Sequence, residues 1–280
     1  VDLGNSPEPL LPDTEAPTGA DYILMESVYG DRLHEGREER KERLRSIVES
    51  VRTQGGTLLI PSFSIERTQV LLFELNDMVE SKKMAPIDVY LDSPLAIRTT
   101  DIFRRYPDMF NTGAQKQIGG GDDLFAFPGL RFVQSTEESA GIHDQPDPKI
   151  IIAGAGMSVG GRIRSHERAL LGDTRTTLMF VGYQTPGSLG RKIQDGISHV
   201  EIDGERVRVR ARIETLTGYS GHPDRDQLLD FVERADDRLS RVFVTMGEPQ
   251  SSLFLAQRIR DFLNLDTVVP KHGETFTLDV

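Results

Sequence analysis

The sequence predicts an α/β fold with a mostly parallel sheet flanked by helices. Three observations carry that expectation. Short apolar runs alternate with amphipathic, charged stretches along the chain. Turns bearing Gly or Pro punctuate the alternation. The polar residues of chemical interest fall just after the apolar runs, at the carboxyl ends of strands, where open α/β sheets gather ligands.

Taken in order, Pro7, Pro9, Pro12 and Pro17 make the opening an extended connector. Residues 22–25 read as a buried strand ending at Glu26, followed by a loop over 27–32. Residues 37–52 form a charged helix with one apolar face, Leu44, Ile47, Val48 and Val51, stopped by Gly55-Gly56. Strand 58–61 leads through Ser62-Phe63-Ser64 into a helix over 65–79. The pattern recurs with strand 87–91, helix 95–105 and a glycine-rich loop at 119–121. Strand 132–133, a short helix near Thr136, strand 149–153, helix 161–171 and strand 177–181 follow. Residues 200–202, a turn at Asp203-Gly204 and residues 206–213 read as a β-hairpin. A β-rich run over 214–219 comes next, then helix 226–235, strand 241–245, helix 251–263, strand 267–269 and a last strand over 275–278.

The 280 residues suffice for one large or two ordinary domains, and 37% hydrophobic against 28% charged residues marks a soluble, globular chain. No apolar run approaches the ~20 residues of a membrane span, so no membrane partner is expected. The polar, acidic opening is no signal peptide. Without cysteine there is no disulfide, thiolate zinc site or thiol nucleophile, which fits the cytoplasm. A net charge of −11 counts against an extended phosphate-tracking surface and leaves room for a narrow basic cleft. The chain opens on Val1 without an initiator methionine, so an upstream segment is expected to be missing.

His222 is the residue most suited to chemistry. Small residues precede it and Pro223-Asp224 opens the next helix, so the imidazole is expected at a strand's carboxyl end; a turn histidine capping the helix is the structural alternative. Asp2 is a candidate metal ligand or a turn aspartate. Glu26 is a candidate orienter of a histidine or a salt-bridge partner. The stretch from Gly154 to Arg162, including Met157, offers amides ahead of a helix as an anion cradle, with Arg162, Arg164 and His166 beside it. Ser62 and Arg67 form a similar pair after an earlier strand. The six histidines, 34, 143, 166, 199, 222 and 272, form neither His-x-His nor His-Glu-x-x-His, so their spacing holds no complete metal site.

Six blocks resemble the metallo-β-lactamase/β-CASP nucleases in order and approximate spacing. They are Asp2-Leu3-Gly4, Met25 to Arg32, Pro61 to Gln69, Gly156-Met157 to His166, Gly182-Tyr183-Gln184 to Gly190, and Tyr219-Ser220-Gly221-His222. The nearest likeness is to RNases similar to the mRNA 3′-end processing endonuclease. The resemblance implies that residues 1–30 end the first half of a metallo-β-lactamase domain, 31–213 are an inserted β-CASP domain, and 214–280 are the C-terminal part of the αββα metallo-β-lactamase domain. It places the catalytic cleft between the two domains. It implies that Asp2 bridges two zinc ions, Glu26 supports the catalytic histidine and His222 protonates the leaving oxygen. Ser62, Arg67, Met157, Arg162 and His166 would line the cleft for single-stranded RNA in mRNA processing or decay. Other partners expected are the upstream metallo-β-lactamase segment and, as an open alternative, a second copy of the chain.

Two departures stand out. The family's His-x-His-x-Asp-His motif and a further ligand are absent, so the zinc shell is expected to be incomplete and the chain alone inactive. Met246 stands before Gly247-Glu248 where RNA-acting relatives carry a metal-binding histidine, and His272-Gly273-Glu274 is a remote substitute. These departures keep two other readings open: a catalytically silent RNA-binding scaffold and a DNA-acting β-CASP nuclease.

Overall fold

The computed structural model of the chain describes residues 3–235 and 237–278. In chain order its elements are β1 (Tyr22–Met25), α1 (Arg37–Gln54), β2 (Thr57–Pro61), α2 (Arg67–Glu80), β3 (Asp88–Asp92), α3 (Pro94–Arg105) and α4 (Thr112–Gly119). Then come β4 (Leu130–Phe132), α5 (Thr136–Gly141), β5 (Lys149–Ala153), α6 (Ile163–Leu170), β6 (Thr177–Phe180), α7 (Leu189–Gln194), β7 (His199–Ile202) and β8 (Glu205–Arg208). The last are β9 (Arg212–Thr215), α8 (Arg225–Glu233), β10 (Arg241–Val244), α9 (Pro249–Leu263) and β11 (Asp266–Val268). They fall into two compact units, residues 9–12 with 35–220, and residues 3–8 and 13–34 with 221–278.

The larger unit is built on a six-stranded sheet in the order β4-β3-β5-β2-β6-β9, with every pair parallel. Its central strands β2 and β5 are buried along their whole length. That is why they read as unbroken apolar runs rather than alternating ones. Successive side chains nevertheless go to opposite faces. Leu58, Ile60, Ile150 and Ile152 join Leu44, Val48 and Val51 of α1 and Leu71 and Leu75 of α2 in one core. Leu59, Ile151 and Phe180 join Ile163 of α6 and Ile193 of α7 in the other. Each fully buried Leu or Ile contributes about 1.5–3 kcal/mol, so these two layers dominate the unit's stability. Helix α1 ends where a left-handed residue is needed. Gly55, at φ 62°, donates its amide to Arg52, and Gly56 donates to Val51.

The smaller unit has a three-stranded parallel sheet, β1-β10-β11. Ile23, Met25, Val242 and Val244 pack with Leu228 and Val232 of α8 and Leu255 and Ile259 of α9. Among the described residues, no helix is long and apolar enough to cross a membrane.

Four local expectations are corrected. The hairpin is β7 and β8 alone, turning at Asp203-Gly204; residues 212–215 leave it and extend the parallel sheet beside β6. The open edge of β6 supplies a ladder for β9 from Thr177 opposite Arg212 to Phe180 opposite Thr215. The β-rich run over 214–219 ends early, because Thr217–Tyr219 is a 3₁₀ turn. Buried charge holds that turn: Thr217 and the Gly218 amide donate to Glu35 at 2.7 and 2.8 Å, and the Tyr219 hydroxyl donates to Glu74, which also pairs with Arg40 at 3.1 Å. Residues 275–278 form no strand; the Phe276 ring packs against Phe243 at 5.2 Å instead. Helices α4 and α7 stand where no helix was expected, each started by a capping side chain, Asn111 on the Ala114 amide and Ser188 on the Arg191 amide.

Candidate active site

Glu26 follows β1 directly and is wholly buried. A carboxylate there needs donors, since burial without them is costly. It has two: the Leu3 amide reaches Oε1 at 2.9 Å, and His222 Nδ1 lies 2.5 Å from Oε2. The His222 side chain keeps 25% of its surface exposed. Holding Nδ1 on a carboxylate fixes the ring's orientation and tautomer.

The sequence around His222 explains its placement. Pro223 and Asp224 open α8, and the Asp224 side chain accepts from the Asp226 and Gln227 amides at 3.0 Å each. Gln227 returns the contact by accepting from the Asp224 amide at 2.8 Å, completing a capping box. Asp224 also accepts from the His34 amide at 3.1 Å, and the His34 ring meets the His222 carbonyl at 3.0 Å. The cap of α8 is thus Asp224 and not His222.

Met246 lies just beyond β10, the strand beside β1, where Met25 stands opposite Val244. Its side chain is exposed and its φ is 53°, a strained value for a non-glycine residue. Gly247 next to it permits close packing, since a Cβ there would fall 2.4 Å from the Ser27 hydroxyl. Asp2 lies outside the described residues. Among the described residues, no group of three or more His, Cys, Asp or Glu side chains could hold a metal ion. Both oxygens of Glu26 are engaged, and a thioether at Met246 is a poor zinc ligand. The described donor set therefore does not by itself fit zinc.

The larger unit holds the other five predicted residues. Arg162 and His166 converge on Asp92 at the end of β3, a residue the sequence reasoning missed. Arg162 Nη1 donates to Asp92 Oδ1 at 2.6 Å, His166 Nε2 lies 2.7 Å from Oδ2, and the Ser139 hydroxyl donates to the same oxygen at 2.5 Å. Arg162 also donates to the Val133 and Gln134 carbonyls. His166 Nδ1 meets His143 Nε2 at 2.9 Å, and its side chain is only 1% exposed. Burial pushes the Asp92 carboxyl up, but the His166, Ser139 and Arg162 hydrogen bonds outweigh it and hold it below the usual carboxylate range. Burial, then the neighbouring His166, holds His143 below the usual imidazole value.

Ser62 is buried, accepts from the Thr68 hydroxyl at 3.1 Å and sits five residues before Arg67, which is also buried. Met157 is half-buried; its carbonyl accepts from the Gly190 amide and its sulfur from the Thr185 hydroxyl at 3.0 Å. The one available signal for Asp92 was its position, the last strand residue before Ser93-Pro94.

An α/β protein with a carboxylate-held imidazole at the carboxyl edge of a parallel sheet is the class these features define. Comparison with known proteins narrows it. Residues 68–193 match the family described as Beta-Casp domain, and residues 206–270 the one described as Zn-dependent metallo-hydrolase RNA specificity domain. The chain is 39% identical over 256 residues to Ribonuclease TTHA0252 of Thermus thermophilus, across 91% of this chain and 58% of that protein. It is 33% identical to Transcription termination factor FttA of Pyrococcus abyssi, across 91% of this chain and 40% of that protein. The corresponding factor of Lokiarchaeum sp. is 32% identical, across 91% and 41%. The chain thus spans about half the length of these relatives. It belongs to the metallo-β-lactamase/β-CASP family.

Proposed function

We propose that the chain is part of a ribonuclease that hydrolyses RNA phosphodiester bonds in mRNA processing or decay, and that His222 is its general acid. The observation that carries this reading is the 2.5 Å contact between His222 Nδ1 and buried Glu26, beside a ring that stays partly exposed. As the P–O bond to the leaving group breaks, Nε2 gives its proton to the departing oxygen and the ring becomes neutral. Glu26 keeps its contact with Nδ1 throughout. Zinc, named in the description of one matching family, belongs to the proposal for the whole protein, with Asp2 as a ligand. It would polarise the phosphate and activate water.

Residues 31–213 are assigned to the β-CASP domain, and residues 1–30 and 214–280 to the metallo-β-lactamase domain. Ser62, Arg67, Met157, Arg162 and His166 are assigned to binding single-stranded RNA, with His166 acting through Asp92 and Arg162. The cysteine-free sequence supports a cytoplasmic setting. In the whole protein, His222→Ala should depress turnover of labelled single-stranded RNA while leaving its affinity in place; equal loss of both contradicts an acid role.

Met246 favours one second reading, a silent scaffold that binds RNA without cutting it. Zinc content and cleavage measured together separate the two: bound zinc with cleavage supports the enzyme, and RNA binding without either supports the scaffold. Matched DNA strands test the DNA-acting alternative.

A further inference from the structure

Phe63 follows β2 on the loop that leads to α2, and it is 44% exposed. A single exposed aromatic is ordinary on a protein surface. The Phe63 backbone, however, is pinned. Its carbonyl accepts from the Thr68 hydroxyl at 2.7 Å and the Thr68 amide at 3.3 Å. The residue before it donates its amide to Ala153 at 2.9 Å, and the Ser64 carbonyl accepts from Gln69 at 3.2 Å. The loop backbone is therefore fixed by buried polar side chains rather than by burial of the ring.

The ring itself rests on glycine. A Cβ at Gly156 would lie 2.7 Å from Phe63 Cδ2, and one at Gly182 would lie 3.6 Å from Cε2. Only glycine fits at 156 with the ring where it is. The Cγ–Cδ2–Cε2 side of the phenyl thus lies against glycine backbone, while 44% of the residue stays exposed. Ile65, Leu95 and Val159, all exposed, follow β2, β3 and β5, which are neighbours in the sheet. The Ser64 and Ser93 hydroxyls meet at 3.2 Å among them. Exposed apolar groups on a rigid, hydroxyl-bearing strand edge suit a flat ligand that is apolar on its face and polar at its rim.

We propose that Phe63 is a stacking platform for one nucleobase of single-stranded RNA, with Gly156 and Gly182 as its backing. This deepens the RNA-handling role proposed above and rests on it. A backed ring loses little freedom when a base lands on it, so the contact favours binding without reading sequence, because every base has a π-face.

The test is binding of a fluorescein-labelled oligouridylate of about ten nucleotides, a length near one single-strand site, by anisotropy to the whole protein carrying His222→Ala, so that the strand stays uncut. A second set of strands carries one abasic ribose, moved along the strand position by position. Phe63→Ala should weaken binding on the order of tenfold, the usual scale for losing one stacked base. Phe63→Leu, which keeps apolar surface without a π-face, should lose nearly as much, and Phe63→Tyr should bind like the original. At one position the abasic ribose should weaken binding to the protein with Phe63 intact and add nothing to Phe63→Ala. Unchanged affinity in Phe63→Ala, or abasic losses that add to it at every position, overturns the proposal and leaves the RNA reading standing. If the whole protein with Phe63 intact binds no RNA, the functional reading falls and takes this one with it.

Discussion

Glu26–His222 and Asp92–His166 are the same pair of groups, a buried carboxylate against an imidazole, in different settings. His222 is held at Nδ1 and a quarter of its side chain is exposed. His166 is held at both nitrogens, by Asp92 and His143, and is nearly sealed. The carboxylates differ as well. Glu26 accepts one amide and one ring nitrogen, whereas Asp92 takes a ring nitrogen, an arginine and a hydroxyl. Of these two rings, that of His222 is the one that keeps exposed surface. The second pair spends its hydrogen bonds on joining α5, α6 and the segment after β4 to the end of β3. A histidine beside a carboxylate is thus no sign of catalysis until its second nitrogen is accounted for.

Exchanging the consequences of the two pairs would break this contrast. His222→Ala should lower RNA cleavage by the whole protein by roughly 10²–10⁴-fold, the usual contribution of a positioned acid, with a smaller loss of stability because buried Glu26 keeps the Leu3 amide as a donor. His166→Ala should do the reverse, unfolding more readily in urea with cleavage lowered only as far as the strand-edge loops loosen. Asp92→Ala leaves Arg162 and His166 without their acceptor and should cost about 3 kcal/mol in denaturant titration. A loss below about 0.5 kcal/mol, the range of an ordinary surface change, would show that the network is not structural.

The pH dependence of stability sharpens the contrast. Burial pushes the Glu167 carboxyl up to about 8, despite the hydroxyl of Ser158 donating to it, and Oε2 has no hydrogen-bond partner. The folded chain therefore keeps a proton that the unfolded chain loses near 4.5. That contribution is full below about 4.5 and is lost as pH rises to about 8. Glu167→Gln should flatten stability across that window, measured by urea midpoints at several pH values. An unaltered pH profile would place the carboxylate in water. The smallest effect expected is for Asp224→Ala, about 1 kcal/mol from the lost cap of α8. Because the same side chain holds the His34 amide, a modest fall in cleavage should accompany it.

Much of the framework was legible in the sequence. The apolar runs at 58–60 and 150–152 were readable as strands from their shortness and flanking turns, and Gly55-Gly56 marked the end of α1 because a left-handed residue is needed there. The short capped helices α4 and α7 were hidden by composition, since neither presents enough apolar residues to show a period. Strand β9 was misjudged because alternation continues past β8 while pairing changes partner, and a period of two cannot say which neighbour a strand will choose. At the site, Glu26 and His222 were each visible as polar residues near strand ends or turns, yet 196 positions separate them, and only the family resemblance joined them before the geometry did. Asp92 escaped because an aspartate before Ser-Pro reads as helix-start chemistry. Ser93 does cap α3, which frees Asp92 to serve Arg162 and His166.

The sharpest measurement uses a strand whose cleaved linkage carries sulfur in place of the bridging, departing oxygen. Such a leaving group separates without needing a proton. Cleavage of this strand by the whole protein carrying His222→Ala should run close to the unmutated rate, although the same variant is slow on the ordinary strand. If the variant is equally slow on both, His222 is not the acid and the role assigned to its pairing with Glu26 is wrong.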